Sequence, residues 1–208
     1  MANADSGQVA RKVNSGLFAS LRISRLPLWS LVLLAVAVHV CSGTAWAQST
    51  VDEYHMKAAF LFHFAQLVEW PADSPNEGGH SLLVCTLGDD PIHGELESTI
   101  AGKQIGSRIL RIRHMSPLQD TRGCNVLFIS KSEGNRIPAL LATLQNAPVL
   151  TVGDADGFLG AGGMIRLFLE GNKVRFEINR QAAETARLRI SSQLLLLSRN
   201  VGGSNGKK

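Results

Sequence analysis

The stretch SLLVCTLGDDPIHGELESTI, residues 81–100, decides the fold. Ser81–Leu87 is a short apolar run of the kind expected for a strand buried on both faces. Gly88-Asp89-Asp90-Pro91 turns the chain, and Ile92–Ile100 has the apolar spacing of a helix. A strand followed by a helix is the unit of a parallel sheet, because parallel neighbours need a crossover and crossovers bring helices. Downstream the unit recurs. Ile109–Ile112 reads as a second strand, a weak helix is expected around Pro117–Thr121, and Cys124–Ile129 reads as a third strand. Pro138–Gln145 belongs to a helix and Val149–Val152 to a fourth strand. The expectation is an α/β fold with a mostly parallel sheet flanked by helices.

The C-terminal part follows another pattern. Met164–Leu169 and Lys173–Ile178 are strand-like runs either side of Glu170-Gly171-Asn172, a β-hairpin signal. Val174, Phe176 and Ile178 alternate with Arg175 and Glu177, which suggests an edge strand with one wet side. Asn179 is placed to cap a last helical region, in which Ala183, Ala186, Ile190, Leu194, Leu197 and Val201 share a stripe. Ser191-Ser192 is placed to cap a separate final helix instead.

Upstream lies Tyr54–Pro71, YHMKAAFLFHFAQLVEWP. At 3.6 residues per turn, Tyr54, Ala58, Leu61, Phe62, Ala65 and Val68 form one apolar stripe. Ala59, Phe60, Phe64 and Leu67 make the other side nearly as apolar, and only Lys57, His63, Gln66 and Glu69 interrupt it. Pro71 is expected to end the helix by crowding Trp70 out of the helical region. Such a helix is either sandwiched or presents a docking face. Its second side must meet the C-terminal helix, a second copy (a homodimer) or a partner.

Residues 1–47 read as an export signal. Arg11, Lys12, Arg22 and Arg25 precede an apolar run from Leu26 to Val40, and Ala45-Trp46-Ala47 predicts cleavage after Ala47. Residues 48–201 then form one domain, and residues 202–208 a polar tail expected to be disordered. Of 21 basic and 17 acidic residues, four basic and one acidic precede Gln48, leaving 17 against 16. That balance gives no support for nucleic-acid binding. The apolar run is short for a membrane span, so the cleaved product is expected not to be membrane-embedded.

Cys85 and Cys124 are the cysteines that remain after cleavage, and an even count in an exported protein makes a disulfide the leading reading, with two buried thiols as the alternative. Neither belongs to a CxxC pair, so no metal site is expected. The mature histidines lack metal-ligand spacing, and there is no G-x-S-x-G elbow. No catalytic residues, cofactor or enzyme activity are expected. Two loops are candidates for a small ligand: Asp89-Asp90 after the first strand, and the glycine-rich segment containing Gly157 and Gly163.

Tyr54, Lys57-Ala58-Ala59-Phe60-Leu61, Phe64 and Glu69-Trp70-Pro71 resemble the opening signature of YfiR-like (DUF4154) periplasmic proteins. The resemblance continues through Leu87-Gly88-Asp89-Asp90-Pro91, Gly123-Cys124 and Val126–Ser130. It extends to Gly157-Phe158, Gly162-Gly163-Met164-Ile165, Phe176-Glu177-Ile178-Asn179 and Ser191-Ser192-Gln193-Leu194-Leu195. This resemblance implies a Rossmann-like sheet and a periplasmic repressor that contacts the sensor region of an inner-membrane diguanylate cyclase. Cyclic-di-GMP and biofilm formation would fall as a result. It also implies that Cys85 and Cys124 form a redox-sensitive pair. Tyr54, Lys57, Phe60, Phe64 and Trp70 are then the partner-docking candidates. A second expectation is a small-molecule sensory module feeding a membrane receptor or kinase.

Overall fold

The computed structural model describes residues 45–74, 79–89, 91–116 and 121–199, all within the compact unit that begins at Ala45. The expected export signal up to Thr44, Asp90, residues 117–120 of the expected weak helix, Val201 and the tail lie outside the described residues. Helix α1 (Ala45–Leu67) leads into a two-residue strand, β1 (Val68–Glu69). Then come β2 (Ser81–Leu87), α2 (Ile92–Ile100), β3 (Gln104–Ile105), β4 (Arg108–Met115) and β5 (Val126–Ile129). A 3-10 segment, Lys131–Arg136, joins β5 to α3 (Ile137–Thr143), which β6 (Leu150–Gly153) follows. The chain continues through β7 (Ile165–Glu170), β8 (Lys173–Ile178), α4 (Arg180–Thr185), β9 (Arg189–Ile190) and α5 (Ser192–Leu197).

Seven strands form one mixed sheet in the order β3-β4-β2-β5-β6-β7-β8. From β4 to β7 the neighbours are parallel, while β3 and β8 run antiparallel at the two edges. Strand β2 is paired on both sides, with Val84 opposite Ile112 and Val126, which accounts for its uninterrupted apolar run. Successive side chains enter different cores. Leu82, Val84, Val126 and Phe128 join the layer under α1 and α2; Cys85, Leu87, Leu127 and Ile129 join the layer with Ile137 and Leu141 of α3.

Taking the parallel strands in chain order, β2 is first and lies between the second, β4, and the third, β5. The connection from β2 runs to β4 on one side and that from β5 to β6 on the other, so the carboxyl ends of β2 and β5 flank a topological switch point, where open α/β sheets bind ligands.

The structure corrects two expectations and decides between the two readings of the C-terminal helical region. Helix α1 ends at Leu67, not at Trp70, because Val68 and Glu69 pair with Ile190 and Arg189. Its second apolar side is covered by the hairpin: Phe176 of β8 meets Phe64 at 5.1 Å and Phe60 at 5.5 Å between ring centres. The C-terminal stripe is interrupted. Arg187 takes a left-handed φ of 59°, β9 follows, and the Ser191 hydroxyl accepts from the Leu194 N–H to start α5. Leu197 consequently lies 65% exposed instead of in the stripe. Asn179 caps α4 as expected, accepting from the Ala182 N–H at 3.1 Å. Among the described residues, no helix is long and apolar enough to cross a membrane.

Candidate functional site

Of the five docking candidates, Lys57, Phe64 and Trp70 are buried and only Tyr54 and Phe60 are half-exposed. Phe64 is held in the aromatic group with Phe60 and Phe176. The Trp70 indole donates to the Asn125 carbonyl at 3.2 Å, so this side chain ties β1 to the entry of β5. Three side chains read as a surface motif therefore serve the interior. The reason is geometric: distant segments meet the helix, the hairpin at Phe64, the end of β6 at Lys57 and the entry of β5 at Trp70.

Lys57 is the sharpest departure. Its ammonium is 2% exposed, donates to Asp154 Oδ2 at 2.8 Å and pairs with Glu53 Oε1 at 2.7 Å. The other oxygen of Asp154 accepts the Lys131 backbone N–H at 2.8 Å. Asp154 stands directly after β6, so one carboxylate joins α1 to the carboxyl ends of β5 and β6. Burial alone pushes the Lys57 pKa down; hydrogen bonds to Asp154 and Glu53 and their negative charges outweigh it, and the net shift is upward. A lysine on a nearly all-apolar helix was the sequence signal. Its partner, 97 residues away, was not legible.

At the switch point, Gly88, Asp89, His93, His114, Met115, Ser116 and Glu133 line a cleft of about 450 Å³. The turn after β2 needs its glycine twice over. Gly88 has φ 101°, and a Cβ there would stand 2.6 Å from Ser132 Oγ and 2.9 Å from Ser130 Cβ. The Asp89 N–H donates to Ser132 Oγ at 2.9 Å, which fixes this turn against the segment after β5. Buried Thr86 sits beneath, with Oγ1 3.3 Å from His93 Nδ1 and 3.2 Å from His114 Nδ1. A hydroxyl carries one proton and donates to at most one of these nitrogens, so at least one ring donates from its own Nδ1–H. Both Nε2 atoms are left directed away from Thr86.

Glu133 closes the other side. Its side chain is 3% exposed, and Oε2 accepts no hydrogen bond among the described residues. The Arg136 guanidinium stands 3.1 Å away, close enough to balance charge but outside hydrogen-bonding geometry. Among the described residues, no three His, Cys, Asp or Glu side chains converge as a metal site.

The two expected ligand loops do not converge. Asp89 is exposed on the cleft, whereas Gly157 lines a separate hollow with Asn135, Pro138 and Ala161. Gly163 is buried, and the Phe158 ring occupies the space a side chain would need there and at Gly153. These two glycines therefore clamp an aromatic ring into the core beside α3. Sequence reasoning missed Thr86, His93, His114 and Glu133, since none belongs to a motif and only the parallel pairing of β4, β2 and β5 assembles them.

Cys85 and Cys124 are joined in a disulfide with Cα atoms 6.0 Å apart, both within 1% of full burial. The bond lies in the smaller core, with Leu127, Ile137 and Leu141.

No curated protein matches the chain. A family profile does, that of the YfiR/HmsC-like proteins (DUF4154), over residues 54–199. That span runs from within α1 through α5 and includes the cleft, the Lys57–Asp154 pair and the disulfide. The chain belongs to the YfiR/HmsC-like family.

Proposed function

We propose that this protein is a periplasmic regulator that represses an inner-membrane diguanylate cyclase by protein contact, lowering cyclic-di-GMP and restraining biofilm formation. The observation that carries the reading is the family match across residues 54–199. The YfiR-like family is regulatory rather than catalytic and acts in the periplasm. The buried disulfide suits an oxidising compartment. In this reading residues 1–47 direct export and are removed after Ala47, residues 48–201 are the regulatory domain with a Rossmann-like sheet, and the tail follows it.

The docking surface of this proposal contains Tyr54 and Phe60, the two motif side chains that retain exposure. Phe60 also forms one wall of a groove with Val174, Phe176 and Leu197. A helix laid in such a groove is a common recognition mode. The Cys85–Cys124 bond is proposed to tune repression through the stability of the domain.

The test is genetic. Deleting the gene while every membrane-bound cyclase is kept should raise cellular cyclic-di-GMP, and unchanged levels would sink the repressor reading. A second reading, a small-molecule sensory module feeding a membrane receptor or kinase, is favoured by the cleft at the switch point.

A further inference from the structure

We infer that the outer edge of β4, from Arg111 to His114, receives an extended acidic segment of a partner polypeptide as an added strand. This edge lies at the opposite end of the sheet from β8 and the groove beside Phe60. The inference does not rest on the repressor reading, so its failure would leave the deletion phenotype untouched.

The backbone comes first. β3 pairs with β4 only at Ile105–Arg108 and Gln104–Ile109. The Ile109 N–H donates to the His80 carbonyl at 2.8 Å toward β2, whereas the Leu110 N–H donates to the Lys103 carbonyl at 2.8 Å on the outer side. The Leu110 carbonyl accepts the Gly102 N–H at 3.3 Å on that same side, and there the outer pairing stops. Backbone groups alternate between the two sides of a strand, so those of Ile112 and His114 also face outward. Among the described residues they have no partner on that side. An open row of N–H and C=O groups is a template for one more strand.

The side chains select which strand. Arg111 and Arg113 are exposed on the face opposite Leu110 and α2, and as alternate residues they stand about 7 Å apart along the strand. Arg108 stacks on Trp70, and every described arginine from Arg136 onward pairs with a carboxylate. Arg111 and Arg113 have no ion pair, hydrogen bond or ring contact among the described residues. An added strand also puts alternate side chains on one face, so two acids separated by one residue meet both guanidiniums. Each guanidinium is a fork that matches a carboxylate. A second copy is disfavoured, because its own β4 edge would set arginine against arginine. An anionic membrane would answer the charge and leave the backbone row unpaired.

The test uses the protein purified from its own cells, with a short synthetic peptide alternating Glu and Thr as the probe. The controls are the Lys–Thr counterpart, the Glu–Thr peptide methylated on its backbone nitrogens, and vesicles of phosphatidylglycerol. The Glu–Thr peptide should slow amide exchange at Ile112 and His114 by about tenfold or more, while the controls leave it unchanged. Arg111→Glu with Arg113→Glu, both exposed changes, should abolish that protection and confer it on the Lys–Thr peptide. Silence from the Glu–Thr peptide at millimolar concentration would overturn the assignment. So would equal protection by the Lys–Thr or methylated peptide, or protection that the charge-reversed variant retains. Protection by the vesicles alone, or a dimer that the charge-reversed variant loses, would give the edge to a membrane or a second copy and overturn it likewise.

Discussion

On one face of the sheet, α1, α2 and the hairpin bury a broad apolar layer in which Phe64 and Phe176 meet edge to face. On the other, seven-residue α3 covers a smaller layer, and the Cys85–Cys124 bond joins β2 to the chain entering β5. Apolar burial contributes in proportion to area, so the broad face is held chiefly by packing, with the Lys57–Asp154 pair fastening α1 to the end of β6. The narrower face has less area to remove from water, and it adds a covalent loop closure and the Phe158 ring clamped between Gly153 and Gly163. Restraint takes a different chemical form where the hydrophobic layer is thinner.

The largest effect should come from the broad face. Phe64→Ala removes a fully buried ring from the middle of it and should cost about 3–5 kcal/mol of unfolding free energy, read by urea denaturation. A cost no larger than that of a surface change would mean the hairpin does not seal α1.

Next is the ion group that pins α1 to β6. Lys57→Ala strands two carboxylates, one of them 3% exposed, and should cost about 3–4 kcal/mol. The paired change Lys57→Met with Asp154→Leu should recover most of that loss, since it removes the charges together. Because the folded pKa of Lys57 is raised above the ordinary 10.5, its contribution is complete below that value. The contribution fades as pH climbs from there through the higher folded value. Wild type should therefore lose stability in strong alkali more steeply than the paired variant.

On the narrow face, Cys85→Ser should lower stability by about 2–4 kcal/mol, and strong reductant should reproduce the change in the wild type. Both sulfurs are buried, so reduction should be slow in the folded protein and accelerate with mild denaturant. If oxidised and reduced forms melt alike, covalent closure is not what holds this face.

Phe60→Ala should have the smallest effect on folding, about 1–2 kcal/mol, because the ring is only half-buried. Its effect on the proposed repression should nevertheless exceed that of the more destabilising Cys85→Ser, with cyclic-di-GMP measured in cells carrying equal amounts of folded protein. The reverse order would move the docking surface away from α1.

Much of this architecture was legible in local pattern. Ser81–Leu87, Ile92–Ile100 and Lys173–Ile178 lie where apolar runs, helical spacing and strict alternation place them. Asn179 and Ser191 act as the caps their chemistry suggests, because a cap is a contact over three residues. The candidate site was less legible. Asp89 stood out by following a strand, yet its neighbours His114 and Glu133 come from strand ends far along the chain.

By itself, the sequence determined the order of strands and helices, the hairpin and the pairing of the two cysteines as the leading choice. These depend on periodicity, turn chemistry and the redox setting expected for an exported chain. Tertiary structure alone decided which apolar faces are covered. It turned Lys57 from a surface mark into a buried cation held by Asp154, and buried the side chains of Phe64 and Trp70. It also gathered Thr86, His93, His114 and Glu133 around one cleft. The physical reason is common to all of these: burial and charge pairing are set by what crosses over from distant strands, and no local period encodes that neighbour.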